Sequence, residues 1–311
     1  MKRNTIKLAI VIPYYKITYF DELLDALSKQ TIPKFNIYIG DDDSFHTPNE
    51  LMKKYENKLN IQYKKFQTNQ GGTNLVAQWH RCLNLIKDEE WVWILPDDDI
   101  PSLNVVEEFY KGLDFQKKYN IKIMKFPVSI IDENSKIIKD LNFHDPLIEN
   151  NLDFYERVVR GEAGASLGDN IFHRESLESQ GGFVYFPKAW GSDHATLLQV
   201  STGGNIYCLK KAKLYFRMSG ENISSDTTDG LIKLDARIMF AKWLKKNEYI
   251  FPDRPSHDFY KFFYWKAEYY ILNEWKFSIY LFMKLYNLRK ICMQSNNFLP
   301  IFKVILQKII K

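Results

Sequence analysis

Cysteine is scarce in this chain, and its few positions do not suit a metal site or a disulfide framework. Cys82, Cys208 and Cys292 are far apart, with no C-x-x-C pair and no histidine-rich partner spacing. This pattern argues against a structural zinc site and against a disulfide scaffold. We interpret the three residues as ordinary buried thiols in a reducing compartment.

Long apolar stretches and leader-like segments are also missing. No 18 consecutive residues are apolar, which argues against a membrane-spanning helix. Met1-Lys2-Arg3 is followed directly by a short strand-like segment and not by the apolar core of a signal peptide. The sequence therefore predicts a cytoplasmic protein. With 45% apolar and 26% charged residues and no internal repeat, a globular chain is expected.

Several widespread nucleotide and hydrolase motifs do not occur. The patterns G-x-G-x-x-G, G-x-x-x-x-G-K-[ST] and G-x-S-x-G are all absent, so a dehydrogenase fold, a P-loop and a hydrolase elbow are unsupported. Nucleic acid is not an expected partner, because no RNP or helix-turn-helix pattern appears. The net charge of +5 belongs to the C-terminal part, since residues 258–311 alone carry +6.

What the sequence does contain is an alternation of short apolar strands and amphipathic helices, clear over its first hundred residues and looser from there to residue 127. Strands are predicted at 8–12, 35–39, 61–65, 91–95 and 121–127, and helices at 20–30, 50–58, 73–86 and 105–119. This alternation predicts an α/β fold with a mostly parallel sheet flanked by helices.

The rest of the chain has a looser pattern. Residues 132–153 are expected to form a loop, and 163–174 and 181–191 are glycine-rich and irregular, as in a site-forming region. From about residue 231 the pattern is helical. We therefore predict a catalytic domain over 1–230 and a helical, aromatic and basic C-terminal region over 231–311.

Two triple-aspartate clusters follow predicted strands, and both are expected at the carboxyl edge of the sheet, where open α/β folds bind ligands. Asp41-Asp42-Asp43 is suited to hydrogen bonds from a nucleobase or ribose, or alternatively to a capping turn. Asp97-Asp98-Asp99 is suited to Mg²⁺ or Mn²⁺ with substrate phosphates, or alternatively to a solvated capping turn. On an extended strand Asp97 and Asp99 would converge, whereas a turn would change which pair does.

Four segments in this order resemble glycosyltransferase family 2. They are Ala9–Tyr15, Ile37–Ser44, Asn69–Gly72 and Trp91–Asp99. The resemblance implies the GT-A fold, a Rossmann-like nucleotide-binding sheet joined to an acceptor-binding half. It also implies an inverting transferase that uses Mn²⁺ or Mg²⁺ and a nucleotide-sugar donor, with UDP favoured over GDP and dTDP.

The resemblance also implies roles for individual residues. The nucleotide would be bound by residues of the four segments and by one later arginine: Pro13, Tyr14, Tyr15, Asp41, Asp42, Asn69, Gly71, Asp97, Asp98 and Arg217. The metal would be held within Asp97, Asp98 and Asp99. Because Pro96 occupies the first acidic position of the family's D-x-D-D pattern, either Asp98 or Asp99 takes the main ligand position.

The catalytic segment of the family resembles Trp190-Gly191-Ser192-Asp193-His194. This similarity implies that Asp193 is the general base, which takes the proton of the acceptor hydroxyl during a single inverting displacement. Trp190 and His194 are candidates for contact with the donor sugar or acceptor. Where the family has a histidine two residues after the arginine, this chain has Ser219, so His194 and His173 are alternative third metal ligands.

The aromatic and basic residues beyond Phe259 admit two main interpretations. They form a helical subdomain that packs on the catalytic domain, or an amphipathic helix that binds an anionic membrane surface. The segment Phe302–Lys311 is the best candidate for the membrane alternative. The expected acceptor is a hydroxyl of a glycan or lipid-linked glycan, in bacterial surface polysaccharide, lipopolysaccharide or capsule synthesis.

Two other functions remain open from the sequence. A sugar nucleotidyltransferase would use a similar sheet, but it should open with a glycine-rich phosphate loop, and Pro13-Tyr14-Tyr15-Lys16 contains no glycine. A non-catalytic glycan-binding protein could keep the same fold. The intact acidic clusters favour the transferase over this second alternative.

Overall fold

The computed structural model describes residues 6–141, 144–220, 230–274, 279–297 and 299–301. The strands in this part of the chain are β1 (Leu8–Tyr14), β2 (Phe35–Asp41), β3 (Ile61–Lys65), β4 (Trp91–Ile94), β5 (Ile100–Pro101), β6 (Ile121–Lys125), β7 (Val128–Ile131), β8 (Ile137–Leu141), β9 (Ile148–Glu149), β10 (Asn170–His173), β11 (Asn205–Cys208) and β12 (Leu214–Arg217). The helices are α1 (Phe20–Ser28), α2 (Asn49–Tyr55), α3 (Leu75–Leu83), α4 (Val105–Tyr119), α5 (Asn151–Arg160), α6 (Arg174–Ser179), α7 (Ser192–Val200), α8 (Gly230–Lys246), α9 (His257–Glu274) and α10 (Ile279–Met293).

The main sheet has the strand order β3-β2-β1-β4-β10-β6-β11-β9. β3, β2, β1 and β4 are parallel neighbours, and β10 runs antiparallel to both β4 and β6. The predicted α/β fold is confirmed, with a sheet that is mixed and not purely parallel. The apolar strand β1 is buried on both faces, because helices cover the sheet on both sides.

A second, four-stranded sheet with the order β5-β12-β7-β8 stands beside the main one. The sequence interpretation missed it, and the loop predicted over 132–153 is wrong, because β8, β9 and the start of α5 lie there. β8 gives no apolar alternation because it is an edge strand whose first four residues are exposed. Asn150 begins α5 by accepting hydrogen bonds from the backbone N–H groups of Leu152 and Asp153.

The segment 163–174 is also more regular than predicted. Residues 170–173 form β10 in the middle of the main sheet, and the irregular part is confined to the loop before it. The segment Asn-Ile-Phe-His has neither a long apolar run nor alternation, so its pattern does not indicate a strand.

The C-terminal helices pack on the same face of the sheet as α3, α5 and α7. Apolar residues of α8, α9 and α10 share one buried cluster with residues of β1 and β4. Examples are Phe240, Phe259 and Leu285, each at most 2% exposed. The packing interpretation therefore holds for Phe259, Tyr260, Phe263 and Tyr264, whereas Trp265 and Tyr280 are 44% and 49% exposed. The segment Phe302–Lys311 lies outside the described residues. The division at residue 230 stays a prediction.

Two further expectations concern cysteines and membrane helices. Cys82, Cys208 and Cys292 are free and buried, as predicted. Among the described helices, none is both long and apolar enough to cross a membrane.

Candidate active site

The carboxyl ends of β1, β2 and β4 lie side by side, because the three strands are parallel neighbours. Asp97, in the turn after β4, connects this turn to the loop after β1. Its Oδ2 atom accepts hydrogen bonds from the backbone N–H groups of Tyr15 at 2.7 Å and Lys16 at 2.8 Å. The structure thus brings the first and last of the four segments together at one edge of the sheet, here called the acidic edge.

The two tyrosines at this edge have different environments. Tyr14 is buried, its hydroxyl donates to the His46 carbonyl at 2.6 Å, and burial raises its pKa to about 12. Tyr15 is 50% exposed, and its carbonyl accepts a hydrogen bond from Ser44 Oγ at 2.6 Å. Pro13 is partly buried between them and β2. Tyr15 therefore offers an aromatic face to a ligand, whereas Tyr14 anchors the loop after β2.

Asp42 holds the turn that contains Asn69 and Gly71. Its carboxylate accepts hydrogen bonds from the backbone N–H groups of Gln70 at 2.7 Å and Gly71 at 2.8 Å, and it forms an ion pair with Arg81. A Cβ atom on Gly71 would lie 2.6 Å from Asp42 Oδ2, so only glycine allows this approach. The structure therefore brings together Asp42, Asn69 and Gly71, which the sequence analysis assigns to one nucleotide site.

Asp41 is wholly buried and already has protein partners. Its Oδ1 accepts the backbone N–H of Ser44 at 2.7 Å, and its Oδ2 accepts the Tyr63 hydroxyl at 2.6 Å. Burial and the Asp41 carboxylate together raise the pKa of Tyr63, which keeps this hydroxyl a donor. In this structure Asp41 orders the loop at the acidic edge from inside.

Asp97, Asp98 and Asp99 lie in a turn and not on an extended strand. Asp97 faces the loop after β1, whereas Asp99 is wholly buried and its Oδ1 accepts the backbone N–H of Arg217 at 2.9 Å. Burial raises the pKa of Asp97 to about 7, and burial with the charge of Asp98 holds the pKa of Asp99 well above its usual range. The convergence of Asp97 and Asp99 expected for a strand does not occur, because the turn directs them to different elements.

The donor set of this turn nevertheless fits a hard divalent cation. Asp99 Oδ2 is buried without a hydrogen-bond partner in the described part of the chain, and Asp98 beside it is partly exposed. Crowded carboxylates with raised pKa values are stabilised by added positive charge. No three His, Cys, Asp or Glu residues among those described are arranged as a complete ligand cluster. A cation here would take oxygen ligands from substrate phosphates as well, as Mg²⁺ usually does.

Asp193 lies in the first turn of α7, where the helix dipole favours a carboxylate. Its Oδ1 accepts the backbone N–H of His194 at 2.8 Å. Burial and, to a smaller extent, the Asp169 carboxylate raise the pKa of Asp193 to about 7, against the lowering effect of the backbone N–H of His194 and the weaker effect of Arg237 on α8. The result is a carboxyl group that exchanges a proton near neutral pH.

The segment before Asp193 has an unusual backbone. Lys188, Ala189 and Gly191 all have positive φ angles, between 54° and 90°, which non-glycine residues rarely adopt. Trp190 lies within this segment, and Lys233 Nζ stands 4.6 Å from the centre of its ring. Such strain is found at sites where the surrounding structure imposes the conformation.

The two histidines considered as metal ligands lie in different places. His194 Nδ1 is 3.1 Å from the hydroxyl of Tyr155, beside Asp193. His173 is paired with Trp91 at the start of β4, and its Nδ1 is 2.9 Å from Ser176 Oγ. His173 is therefore at the opposite edge of the sheet from Asp97–Asp99, and the expectation that it could ligate a metal there is wrong.

Arg217 is placed behind the acidic edge and not on it. Its guanidinium donates to the Asp98 carbonyl at 2.9 Å, pairs with Glu22 at 2.9 Å and stacks on Tyr19 with a ring distance of 4.0 Å. The side chain has no exposed surface. In this structure Arg217 fixes the turn of Asp97–Asp99 from within and presents no surface to a diphosphate.

Sequence reasoning missed Asp169, which lies between the acidic edge and Asp193. It is 1% exposed, it accepts hydrogen bonds from Ser166 Oγ at 2.9 Å and Asn170 Nδ2 at 2.7 Å, and burial raises its pKa to about 6. The preceding Gly168 packs against Asp99, since a Cβ there would lie 3.2 Å from Asp99 Oδ2. In the sequence, the one indication of Asp169 was an Asp-Asn pair inside the glycine-containing segment 163–174.

The mixed sheet with helices on both faces defines an α/β protein of the GT-A type. A model of the family described as glycosyl transferase family 2 matches residues 9–161, close to half of the chain. The predicted resemblance to glycosyltransferase family 2 is therefore confirmed over residues 9–161.

Two relatives illustrate the range of sequence similarity. The poly(ribitol-phosphate) β-N-acetylglucosaminyltransferase TarS of Staphylococcus aureus is 38% identical over 69 residues, which are 21% of this chain and only 12% of TarS. The uncharacterized glycosyltransferase MG060 of Mycoplasma genitalium is 25% identical over 219 residues, 60% of this chain and 71% of that relative.

Solved structures show the same fold. S. aureus TarS 1–349 in complex with UDP-GlcNAc has a TM-score of 0.71 and 17% identity, and the match covers 92% of this chain and 81% of that one. The mannosyltransferase PcManGT from Pyrobaculum calidifontis, in complex with GDP-Man and Mn²⁺, has a TM-score of 0.53 and 15% identity, over 93% and 74%. At these identities the likeness concerns the fold.

Proposed function

We propose that this chain is an inverting glycosyltransferase that moves a sugar from a UDP-sugar to a hydroxyl group, with Asp193 as the general base. The observation that carries the proposal is the loop of Gly168 and Asp169. It packs against Asp99 of the acidic edge on one side and acts electrostatically on Asp193 on the other. This loop therefore supports a donor site at the acidic edge and a base on α7 on its two sides.

The proposed reaction is a single displacement. The acceptor oxygen attacks the anomeric carbon as the bond from that carbon to the diphosphate breaks, and the acceptor proton passes to the Asp193 carboxylate. A base is most useful when its pKa lies near the working pH. The pKa of about 7 produced by burial of Asp193 meets this condition.

For the donor, we propose that Tyr15 stacks on the base and that the loops held by Asp41 and Asp42 surround the nucleoside. Asp98 and Asp99 would hold Mn²⁺ or Mg²⁺, with Asp97 closing the turn beside them. When bound, the cation would neutralise charge on the departing diphosphate. Support comes from Asp99 Oδ2, which has no hydrogen-bond partner among the described residues, and from the nucleotide sugars and Mn²⁺ in the solved relatives.

For the acceptor, we propose a hydroxyl of a bacterial surface glycan or lipid-linked glycan, bound near Trp190 and His194. The name of TarS adds poly(ribitol-phosphate) to the acceptors that should be tried. These acceptors share an alcohol as nucleophile, which is the group that Asp193 would deprotonate.

The donor assignment can be tested with purified protein and a panel of UDP-GlcNAc, UDP-Gal, GDP-Man and a dTDP-sugar, each with Mn²⁺, Mg²⁺ or EDTA. We expect slow, cation-dependent release of UDP from one UDP-sugar, and a product of inverted configuration by NMR once an acceptor is found. Release of pyrophosphate from a sugar phosphate and UTP would instead indicate a nucleotidyltransferase. Nucleotide binding without turnover on any donor and acceptor would indicate a binding protein.

The base assignment can be tested with Asp193→Asn. Because general bases contribute about 10²–10⁴-fold, we expect kcat to fall by that factor, while the Kd for UDP from calorimetry changes less than about twofold. Asp114→Asn, on the exposed face of α4, is the matched control and should keep wild-type kcat. Near-normal turnover of Asp193→Asn would exclude Asp193 as the base.

A further inference from the structure

Helix α8 buries one side in the core and exposes the other. The residues on its outward side follow one another at the three- and four-residue spacing of one helix face, and each is exposed or partly exposed. They are Leu231, Asp235, Met239, Lys242 and Lys246. Phe240 and Leu244 are buried on the opposite side. The helix therefore has a continuous outward stripe over its whole length.

Helix α10 packs beside α8 and has an outward stripe of its own. Tyr280, Met283, Asn287 and Lys290 are all exposed and lie at the same three- and four-residue spacing. Lys284, one turn after Tyr280, forms an ion pair with Asp235 of α8. This pair joins the two stripes into one surface, here called the α8–α10 face.

The α8–α10 face is strongly basic. The two helices together contain eight lysine and arginine residues and one acidic residue. That acidic residue is Asp235, whose charge is compensated by Lys284. Lys242, Lys246 and Lys290 are exposed on the face. A surface with this excess of one sign of charge attracts an extended anionic partner.

Apolar side chains lie among these cations. Met239, Tyr280 and Met283 are between 41% and 57% exposed, and Leu231 and Ile232 continue the apolar surface at the start of α8. Lysines with exposed apolar and aromatic side chains are the composition of a helix face that lies in a membrane interface. The phosphates of a nucleic acid would match the lysines but would leave the methionines in water, so the composition favours lipid.

We propose that the α8–α10 face binds the surface of a membrane that contains anionic phospholipids. Lys242, Lys246 and Lys290 contact the headgroups, each with a favourable electrostatic contribution. Met239 and Met283 enter the boundary between headgroups and acyl chains. The chain lies on the membrane through this face, and among the described helices none is able to cross it.

The same face borders the segment that carries Trp190. Lys233, which follows the exposed Ile232, stands 4.6 Å from the centre of the Trp190 ring. Phe240, on the buried side of α8, packs against Gly191, where a Cβ atom would come within 3.1 Å of the Phe240 ring. A membrane on the α8–α10 face would present a lipid-linked acceptor beside Trp190. This consequence rests on the proposed function, whereas membrane binding itself does not.

The electrostatic test is flotation of the full chain with vesicles, without donor or acceptor. Vesicles of phosphatidylcholine alone are compared with vesicles that also contain phosphatidylglycerol, at low and at high salt. We expect binding to the anionic vesicles only, weaker at high salt. The double variant Lys242→Gln/Lys290→Gln should bind roughly 10–30-fold more weakly, because each cation at an anionic surface contributes about fivefold.

The matched control is Lys117→Gln/Lys118→Gln, which makes the same change in net charge. Both lysines are exposed at the end of α4, on the opposite side of the main sheet from α8 and α10. This variant should bind the vesicles like the wild type. An equal loss in both double variants, or no binding of the wild type to anionic vesicles, overturns the proposal.

The apolar contribution is tested with Met239→Gln/Met283→Gln. We expect a loss of about fivefold or more that persists at high salt, because apolar burial is not screened. Leu103→Gln/Ile137→Gln, which changes two exposed apolar residues elsewhere, should leave binding unchanged. Each variant should keep a Tm close to that of the wild type, which separates a loss of binding from a loss of folding.

Three further outcomes are decisive. Tighter binding to duplex DNA or RNA than to anionic vesicles at the same salt, lost in Lys242→Gln/Lys290→Gln, overturns the proposal in favour of nucleic acid. A dimer in sedimentation that dissociates in Met239→Gln/Met283→Gln overturns it in favour of a second copy of the chain. Vesicle binding as predicted, without transfer to any lipid-linked acceptor, supports the membrane face and contradicts only its link to the proposed function.

Discussion

At the scale of single residues, the site depends on carboxyl groups that are wholly or partly buried. Asp97, Asp169 and Asp193 all have pKa values raised by burial, to between about 6 and about 7. Ionised carboxylates in such places oppose folding, since burial penalises the charged form. The residues that suit the proposed chemistry are therefore residues at which the protein gives up stability.

This cost leads to a prediction for Asp193→Asn. The folded-state pKa of Asp193 is about 7, above the value of about 3.9 for an unfolded chain. The contribution of Asp193 to stability is therefore fully present below about pH 4 and is lost as the pH rises through 7. We expect Asp193→Asn to have a higher Tm than the wild type at pH 8, with a difference that shrinks toward zero at pH 4.

The control for this measurement is again Asp114→Asn, which should match the wild type at both pH values because the side chain is exposed. A lower Tm for Asp193→Asn at pH 8 would contradict the prediction. It would mean that the carboxylate stabilises the start of α7 by more than its burial costs.

At the scale of elements, the acidic edge is built from turns that hold one another. The turn of residues 69–72 depends on Asp42, which accepts two of its backbone N–H groups while paired with Arg81. Asp97 has the same function for the loop after β1. These aspartates accept hydrogen bonds from backbone N–H groups. The acidic clusters therefore stabilise the loops, in addition to any contact with a ligand.

Gly71→Ala tests this arrangement, because the new Cβ would overlap Asp42 Oδ2. We expect a loss of about 1–3 kcal/mol in the free energy of unfolding, the cost of disturbing a buried charged hydrogen bond. Weaker UDP binding should accompany it. Urea denaturation and calorimetry give the two quantities, and the exposed neighbour Thr73→Ala should stay within about 0.5 kcal/mol of the wild type. A fully stable Gly71→Ala would show that the turn can open without loss.

Some helices and strands can be predicted from the sequence, and others cannot. The first four strands and four helices follow from apolar periodicity, because their side chains face a core on one or both sides. β8 and β10 do not follow from it, since β8 is an exposed edge strand and β10 has neither an apolar run nor an alternating pattern. In the site, the aspartates after strands were predictable from their position, whereas the partners of Arg217 and the approach of the Gly168–Asp169 loop to Asp99 depend on contacts between distant segments.

At the scale of the whole molecule, the C-terminal helices and the sheet share one buried cluster. Leu285 on α10 is 0% exposed within this cluster, so Leu285→Ala should lower the free energy of unfolding by about 2–5 kcal/mol. Because the core continues across residue 230, we expect one cooperative transition in which near-ultraviolet and far-ultraviolet circular dichroism coincide.

Met283→Ala on the same helix is the control, since Met283 is 57% exposed and its loss should change stability little. Two separate transitions in Leu285→Ala, with the first confined to the helical region, would instead support independent units over 1–230 and 231–311.

The position of α8 over the segment of Asp193 also matters during synthesis. A ribosome that has released the chain as far as β12 has delivered both acidic turns and the aspartate on α7, but not the helix that covers them. Until Phe240 arrives, Gly191 lacks the ring against which it packs. The acidic edge would thus be complete before the segment of Asp193 is covered. With the proposed function, the order of translation would delay sugar transfer until the later helices have folded.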